Sequence, residues 1–259
     1  MALVICIANH KGGVAKTASV AALGTVYAAA GQRVLMVDLD TQANLTYSFV
    51  DMSNGAPSRY MHDAISERRG LPRVAVRENL YLAPSGLEMT LIETAMYSMR
   101  RREYVLCDLL APVRDSYDVI LVDCPPSLSI LTTNALAACD RVTVPVVADQ
   151  LSYYGLKMMK AYVESLRDIN ASLRIDDIFI TRFDARERLA RRWESALREE
   201  FGDVVMKAMV RRNVKVGEAV SSLNSVVEYC PSCAGAMDYV ELARELSARA
   251  ARRNSLDID

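Results

Sequence analysis

The stretch Asn9-His10-Lys11-Gly12-Gly13-Val14-Ala15-Lys16-Thr17 gathers the side chains best suited to phosphate chemistry. Gly12 and Gly13 let the backbone approach an anion closely, the amides that open the following helix point at it, and Lys16 adds a compact positive charge. Thr17 offers a hydroxyl to Mg²⁺. Lys11 is a second cation ahead of the glycines, one that an ordinary phosphate loop does not need. Ala15 departs from the pattern G-x-x-x-x-G-K-[ST], which has glycine at that place. If Ala15 takes a positive φ, its methyl costs about 1–2 kcal/mol, and slower or weaker nucleotide handling is the expected consequence.

A strand before and a helix after must hold this loop. Ala2 to Ala8 is short, β-branched and uncharged, as a buried parallel strand should be. Thr17 to Ala30 is alanine-rich and free of proline, and Gly31 supplies a terminating glycine. Two further apolar runs end in acid. Arg33 to Asp38 leads into Asp38-Leu39-Asp40, and Tyr117 to Val122 leads into Asp123-Cys124-Pro125-Pro126. Ligands of doubly wound sheets gather at the carboxyl ends of the strands, so these acids belong beside the phosphate loop; taken alone, an acid pair there is also an ordinary loop cap. Asp123 is placed to hold Mg²⁺ opposite Thr17, and the two prolines force the chain out of the sheet. No histidine in the sequence supports Cys124 as a nucleophile.

The remaining pattern gives a connection over Ser48 to Ser58, a surface helix over Arg59 to Arg69, a strand over Asn79 to Ala83 and one long helical run from Gly86 to about Leu110. Helices over Ile130 to Cys139 and Ser152 to Asp168 alternate with strands over Arg141 to Ala148 and Asp177 to Arg182. A tail helix covers Asp238 to Arg253. Repeated strand–helix units without an internal repeat or linker predict a single domain over 1–259. Its fold class is α/β, a doubly wound, mostly parallel sheet with helices on both faces.

Lys11 to Thr17 (KGGVAKT) resembles the deviant Walker A box, KGGxGK[ST], of the ParA/MinD group of P-loop ATPases. Val37 to Thr46 (VDLDTQANLT) resembles the first switch of that family, Tyr117 to Leu136 (YDVILVDCPPSLSILTTNAL) its second, and Arg212 to Ala219 (RNVKVGEA) its late nucleotide-side segment. The order is the family's and runs through most of the chain, nearest to the small, Soj-like ParA branch. The resemblance implies a slow, partner-stimulated ATPase that takes ATP and Mg²⁺ and forms a homodimer around ATP. Lys11 would reach across that dimer to the phosphates held by the partner, while Gly12, Gly13, Val14, Ala15, Lys16, Thr17 and Ala18 hold the chain's own nucleotide. Thr17 and Asp123 would hold the metal with Asp38 nearby, Asp40 would orient the attacking water, and Arg212 and Asn213 would lie near the adenine. Thr41 stands where the family usually has proline after the second acid, Arg211 stands where proline usually precedes Arg212, and Asp149 to Leu156 keeps part of a segment used in dimer contacts.

The family also implies nonspecific DNA binding in the ATP state by late basic residues, here Arg186, Arg188, Arg191, Arg192, Arg211 and Lys215, release on hydrolysis, and a ParB-like centromere-binding partner. Read by itself, such a charged face is a solvated surface. A net charge of −1 and a pI near 6.2 exclude a polycation, so any nucleic-acid contact must be a local patch. No apolar run reaches the length of a membrane span, and no basic N-terminal leader is seen, so a cytoplasmic, nucleoid-associated protein without a membrane partner is expected. Nor is a DNA-reading domain expected ahead of Ala2, or a membrane anchor in the polar end Ser255 to Asp259. The cysteines fall mostly in apolar segments and suggest no disulfide framework. Cys230-Pro-Ser-Cys233 reads as a surface turn, or as half of a metal site completed by a second copy. Two other functions stay open at this level: a nucleotide-gated positioning ATPase without a DNA role, and an iron–sulfur carrier using Cys230 and Cys233.

Overall fold

The computed structural model describes residues 1–256, with the side chains of Asn54 and of 253–256 left aside. The chain runs β1 (Leu3–Ile7), α1 (Lys16–Ala29), β2 (Val34–Asp38), α2 (Asn44–Tyr47), α3 (Met61–Glu67), β3 (Val74–Arg77), β4 (Leu80–Ala83), α4 (Met89–Met96) and α5 (Val105–Leu110). It continues with β5 (Val119–Asp123), α6 (Ile130–Ala138), β6 (Arg141–Val147), α7 (Gln150–Ser165), β7 (Ile175–Thr181), α8 (Arg188–Phe201), α9 (Lys215–Ser221), α10 (Val226–Tyr229) and α11 (Ala234–Leu256). The strands form one sheet in the order β3-β4-β2-β5-β1-β6-β7, parallel except for the β3–β4 edge pair. The expected doubly wound α/β sheet is what the chain adopts.

Side-chain alternation along the strands divides the core. Val4 and Cys6 of β1, with Leu35, Val37, Ile120 and Val122, pack on one face against α5, α6 and α7. Ile5 and Ile7, with Val34, Met36, Val119 and Leu121, pack on the other face against α1 and α11, where Tyr239 is wholly buried. Strands covered on both faces read as continuous apolar runs, which is why β1, β2 and β5 were plain in the sequence. Their register brings the functional edge together: Asp38 lies directly opposite Asp123, and Ile7 flanks Asp123 on the other side.

The expected helical run from Gly86 to Leu110 is broken. α4 ends at Met96, Arg101 takes φ 51, and α5 begins only at Val105. The Arg102 guanidinium donates to the Tyr97 carbonyl and the Asn134 amide to the Arg102 carbonyl, so one local and one tertiary bond fix the reversal where composition favoured helix. β3 was not anticipated: it is a four-residue edge strand, joined to β4 through Glu78 and Asn79, with Asn79 at φ 57. Beyond β7 the chain returns alongside it. Val205 bridges Ile178 and Arg211 bridges Phe183, with the Val210 amide donating to the Ile180 carbonyl, and this delivers Arg211, Arg212 and Asn213 to the edge that carries the phosphate loop. The polar end at Ser255 to Asp259 lies outside the described side chains. Among the described residues no helix is long and apolar enough to cross a membrane.

Candidate nucleotide site at the carboxyl edge of the sheet

Gly13 at φ 74 and Ala15 at φ 66 give the loop two left-handed residues before α1. Ala15 therefore carries the strained conformation that its place in the pattern demanded. α1 opens with no side-chain cap and no acid in its first turn, so its leading amides, from Lys16, Thr17 and Ala18, stay available to an anion. The loop is lashed to the sheet from outside: Thr181 Oγ1 donates to the Val14 carbonyl at 3.1 Å and Arg182 Nη1 to the Gly13 carbonyl at 3.1 Å. Asn9 Nδ2 donates to the Pro145 carbonyl while its Oδ1 accepts from the Lys11 amide. A Cβ on Gly12 would come within 4.0 Å of Pro126, so the proline turn after β5 already faces the loop. Lys16 is buried, its Nζ donating to the Lys11 carbonyl at 3.1 Å. Burial lowers its pKa from the ordinary lysine value, with Asp123, Cys124 and Asp40 acting in the opposite direction.

The acids divide by role. Asp123 is fully buried and, among the described residues, neither carboxylate oxygen has a hydrogen-bond partner. Burial, then the neighbouring Asp38, hold its pKa well above the ordinary range, although the Thr17 hydroxyl is close enough to pull it down. A buried, unpartnered carboxylate next to a threonine hydroxyl and a lysine fits a hydrated Mg²⁺ that would replace the missing partners. Both oxygens of Asp38, in contrast, are engaged within the chain. Oδ1 accepts from the Asp40 amide, and Oδ2 accepts from the Thr46 amide and hydroxyl at 2.9 and 2.7 Å. Asp38, expected near the metal, thus fixes the turn that presents Asp40 and lies opposite Asp123 across the sheet; burial pushes its carboxyl up to about 7. Asp40 Oδ1 accepts from the Gln42 amide and its carbonyl from Ser85 Oγ, which ties the first switch to the end of β4.

Lys11 does not lie in its own cradle. Its Nζ donates to both oxygens of Asp149, at 2.9 and 2.8 Å, and to Ser152 Oγ at 3.0 Å. Asp149 is also the N-cap of α7, accepting from the Ser152 amide at 2.7 Å. His10 packs edge-on against Gly155 of the same helix, where any Cβ would stand 2.5 Å from the ring. The signature lysine and the start of α7 are therefore built as one unit.

A family model described as an AAA domain matches residues 2–175. The chain belongs to the ParA/MinD superfamily of P-loop ATPases. It is 35% identical over 254 residues to the chromosome-partitioning ATPase Soj of Treponema pallidum, covering 98% of this chain and 100% of that one. Identity to the chromosome partitioning protein ParA of Caulobacter vibrioides is also 35%, covering 95% and 94% of the two chains. Among solved structures, cobyrinic acid a,c-diamide synthase of Mycobacterium smegmatis with bound ATP analogue and magnesium superposes with a TM-score of 0.81 at 28% identity, covering 95% and 94%. These findings set the chain close to the Soj-like partition ATPases within the superfamily, as an ATPase whose cofactors are ATP and Mg²⁺.

In this ParA/MinD ATPase a cavity of about 400 Å³ lies between the loop, the segment after β7 and α11. Ala15, Arg182, Arg212, Asn213 and Tyr239 line it. Arg212 and Asn213, expected near the adenine, both line this cavity. The basic residues proposed for DNA separate into two groups. Arg186 is held by Asp184, Arg211 by Asp238 and Lys215 by Glu218, with the shortest contacts at 2.6, 2.7 and 2.7 Å. Arg188, Arg191 and Arg192 are exposed on α8 and have no ion pair among the described residues. The fork of Arg186 keeps the Asp184 carboxyl far below its usual range. Cys230 and Cys233 are free thiols on a turn, and among the described residues no group of three or more His, Cys, Asp or Glu side chains is arranged to hold a metal ion. The residues that motif reading missed are those that grip others: Thr46 and Ser85 around the first switch, Asp149 and Ser152 around Lys11, and Thr181 and Arg182 around the loop. Thr46 lay within the first-switch segment and Asp149 and Ser152 within the segment Asp149 to Leu156, but nothing in the sequence told which side chain each would grip.

Proposed function

We propose that this chain, acting as a single domain over 1–259, is a DNA partition ATPase that dimerises around ATP and Mg²⁺, binds DNA without sequence preference in that state, and lets go on hydrolysis. Lys16 and the amides of Gly12 to Ala18 hold the chain's own phosphates, Thr17 and Asp123 hold Mg²⁺, and Asp40, steadied by Asp38, places the attacking water. Lys11 acts on the nucleotide of a second copy. The observation that carries this reading is the location of Lys11: its ammonium sits on Asp149 and Ser152 at the start of α7, outside the cradle that Lys16 already serves. A ParB-like centromere-binding protein is the expected stimulator, and the nucleoid the expected location.

DNA contact is assigned to Arg188, Arg191 and Arg192. They sit in the first turns of α8, where cations oppose the helix dipole, an arrangement that costs stability and is better explained by an external anion than by solvation alone. The ion pairs on Arg186, Arg211 and Lys215 favour, in turn, a second reading as a nucleotide-gated positioning ATPase without a DNA role, since they reduce the free basic surface. Retention on DNA with and without ATP, measured for the wild type and for Lys16→Ala, tests the first reading. Both ATP-induced dimerisation and ATP-dependent retention should vanish together in the variant; retention that survives the loss of dimerisation refutes the coupling.

A further inference from the structure

Arg182 follows β7 with φ 52, a left-handed backbone that a residue other than glycine adopts at a cost of about 1–2 kcal/mol. The side chain is exposed and has no ion pair among the described residues; its one recorded hydrogen bond runs from Nη1 to the Gly13 carbonyl at 3.1 Å. It also lines the cavity on the base side of the loop, with Ala15, Arg212 and Asn213. Of the other arginines there, Arg211 is neutralised by Asp238, and Arg212 faces in addition a second cavity shared with Asp184 and Arg186. Arg182 is therefore the cation that touches both the glycine turn of the loop and the cavity beyond it. Strain kept at such a junction points to use, because the same fold with glycine at 182 would be free of it.

We propose that Arg182 is a nucleotide-binding residue, supplying the positive charge on the base side of the phosphate chain, against the phosphate nearest the ribose. The inference rests on the nucleotide site assigned above. A loop of two left-handed residues, one of them Ala15, presents its amides under strain, and a guanidinium anchored on the Gly13 carbonyl holds that turn closed while its remaining donors face the ligand. Because the phosphate nearest the ribose is common to ATP and ADP, Arg182 raises affinity for both and does not select between them. It is a binding residue and leaves the transfer step to Lys16, Asp40 and the metal.

Arg182→Gly removes the guanidinium together with its bond to the Gly13 carbonyl and relieves the backbone, since glycine takes φ 52 without strain, and Arg182→Lys then tells charge on the ligand from the anchor on the loop. Nucleotide-free melting should stay level or rise, while affinity for fluorescently labelled ATP and ADP, by titration, falls about tenfold for each, as expected for loss of a charge-assisted hydrogen bond. Arg182→Lys, which keeps the charge and loses the fork, should fall between the two, and the hydrolysis KM should rise with kcat retained. Wild-type affinity for both nucleotides in Arg182→Gly overturns the proposal, and so does a lowered kcat at unchanged KM. Failure of the wild-type chain to bind either nucleotide would instead remove the assignment of the site itself.

Discussion

In the proposed ATP-bound dimer the Lys11–Asp149 pair would set a threshold for association, and its size follows from its surroundings. Lys11 must leave Asp149 to reach a neighbour's phosphates, yet the pair is 2.8 Å long with side chains 26% and 38% exposed. Solvent screens a pair of that exposure to about 0.5–1 kcal/mol, and two such pairs break for each dimer formed, so the combined opposition is about 1–2 kcal/mol, a factor of about five to thirty in the dimer constant. Asp149→Asn removes the charge and keeps the cap, because asparagine accepts from the Ser152 amide as well as aspartate does. Sedimentation equilibrium with a non-hydrolysable ATP analogue and Mg²⁺ should therefore show tighter dimers for Asp149→Asn by that factor. Asp149→Ala should gain similarly in dimerisation but lose about a further 1 kcal/mol of stability through the missing cap. The gain should not change between pH 6 and 8. Burial alone would raise the Asp149 carboxyl, but Lys11 and the Ser152 amide outweigh it and leave the pKa below the usual range, so the pair loosens only as pH falls through that lowered value. Dimers of Asp149→Asn no tighter than those of the wild type would refute the idea that this contact withholds Lys11.

Ala15→Gly should relieve the left-handed strain of about 1–2 kcal/mol, less the roughly 0.4–1 kcal/mol that glycine forfeits through the unfolded chain; a Tm of the nucleotide-free protein level with the wild type or raised by up to about 6 °C is expected, and a lower Tm in a calorimetric scan counts against it. Burial raises Asp38 to about 7 and holds Asp123 well above its ordinary value. The folded chain then keeps protons that the unfolded chain releases near pH 4, so nucleotide-free stability should fall as pH rises from about 4 through about 7, where Asp38 gives up its proton; urea midpoints at pH 5, 6 and 7 report this directly, and a rise over that range contradicts it. Replacing Arg188, Arg191 and Arg192 together by Glu should abolish ATP-dependent DNA retention with basal hydrolysis intact, and single replacements should flatten the salt dependence of retention by about one counterion each. Retention equal to wild type in the triple variant refutes the assignment of DNA contact to these three arginines.

What the sequence disclosed and what it withheld follow from the range of the forces involved. The loop, the strands ending in Asp38 and Asp123, and the helix opening at Lys16 were legible because each is written in contiguous residues: a buried apolar run, a glycine pair, an acid at a strand end. Even the strain at Ala15 could be anticipated, since pattern position dictates φ. The helix expected over 86–110 failed because Arg102 and Asn134, far apart in the chain, bond across the Tyr97–Leu110 stretch and override its local preference. The same distance effect hid the partners of functional residues. Nothing near Lys11 in sequence announces Asp149, 138 residues away, and nothing near Gly13 announces Arg182, 169 residues away. Asp38 shows the principle in its sharpest form. By resemblance it was placed near the metal with Asp40 on the water, and only the bonds from Thr46 and the Asp40 amide reveal a carboxylate with both oxygens engaged inside its own chain, while Asp123, its neighbour across the sheet, has no hydrogen-bond partner on either oxygen among the described residues. Motifs name the residues a reaction needs; which of them are free to act is decided by bonds the chain makes only once folded.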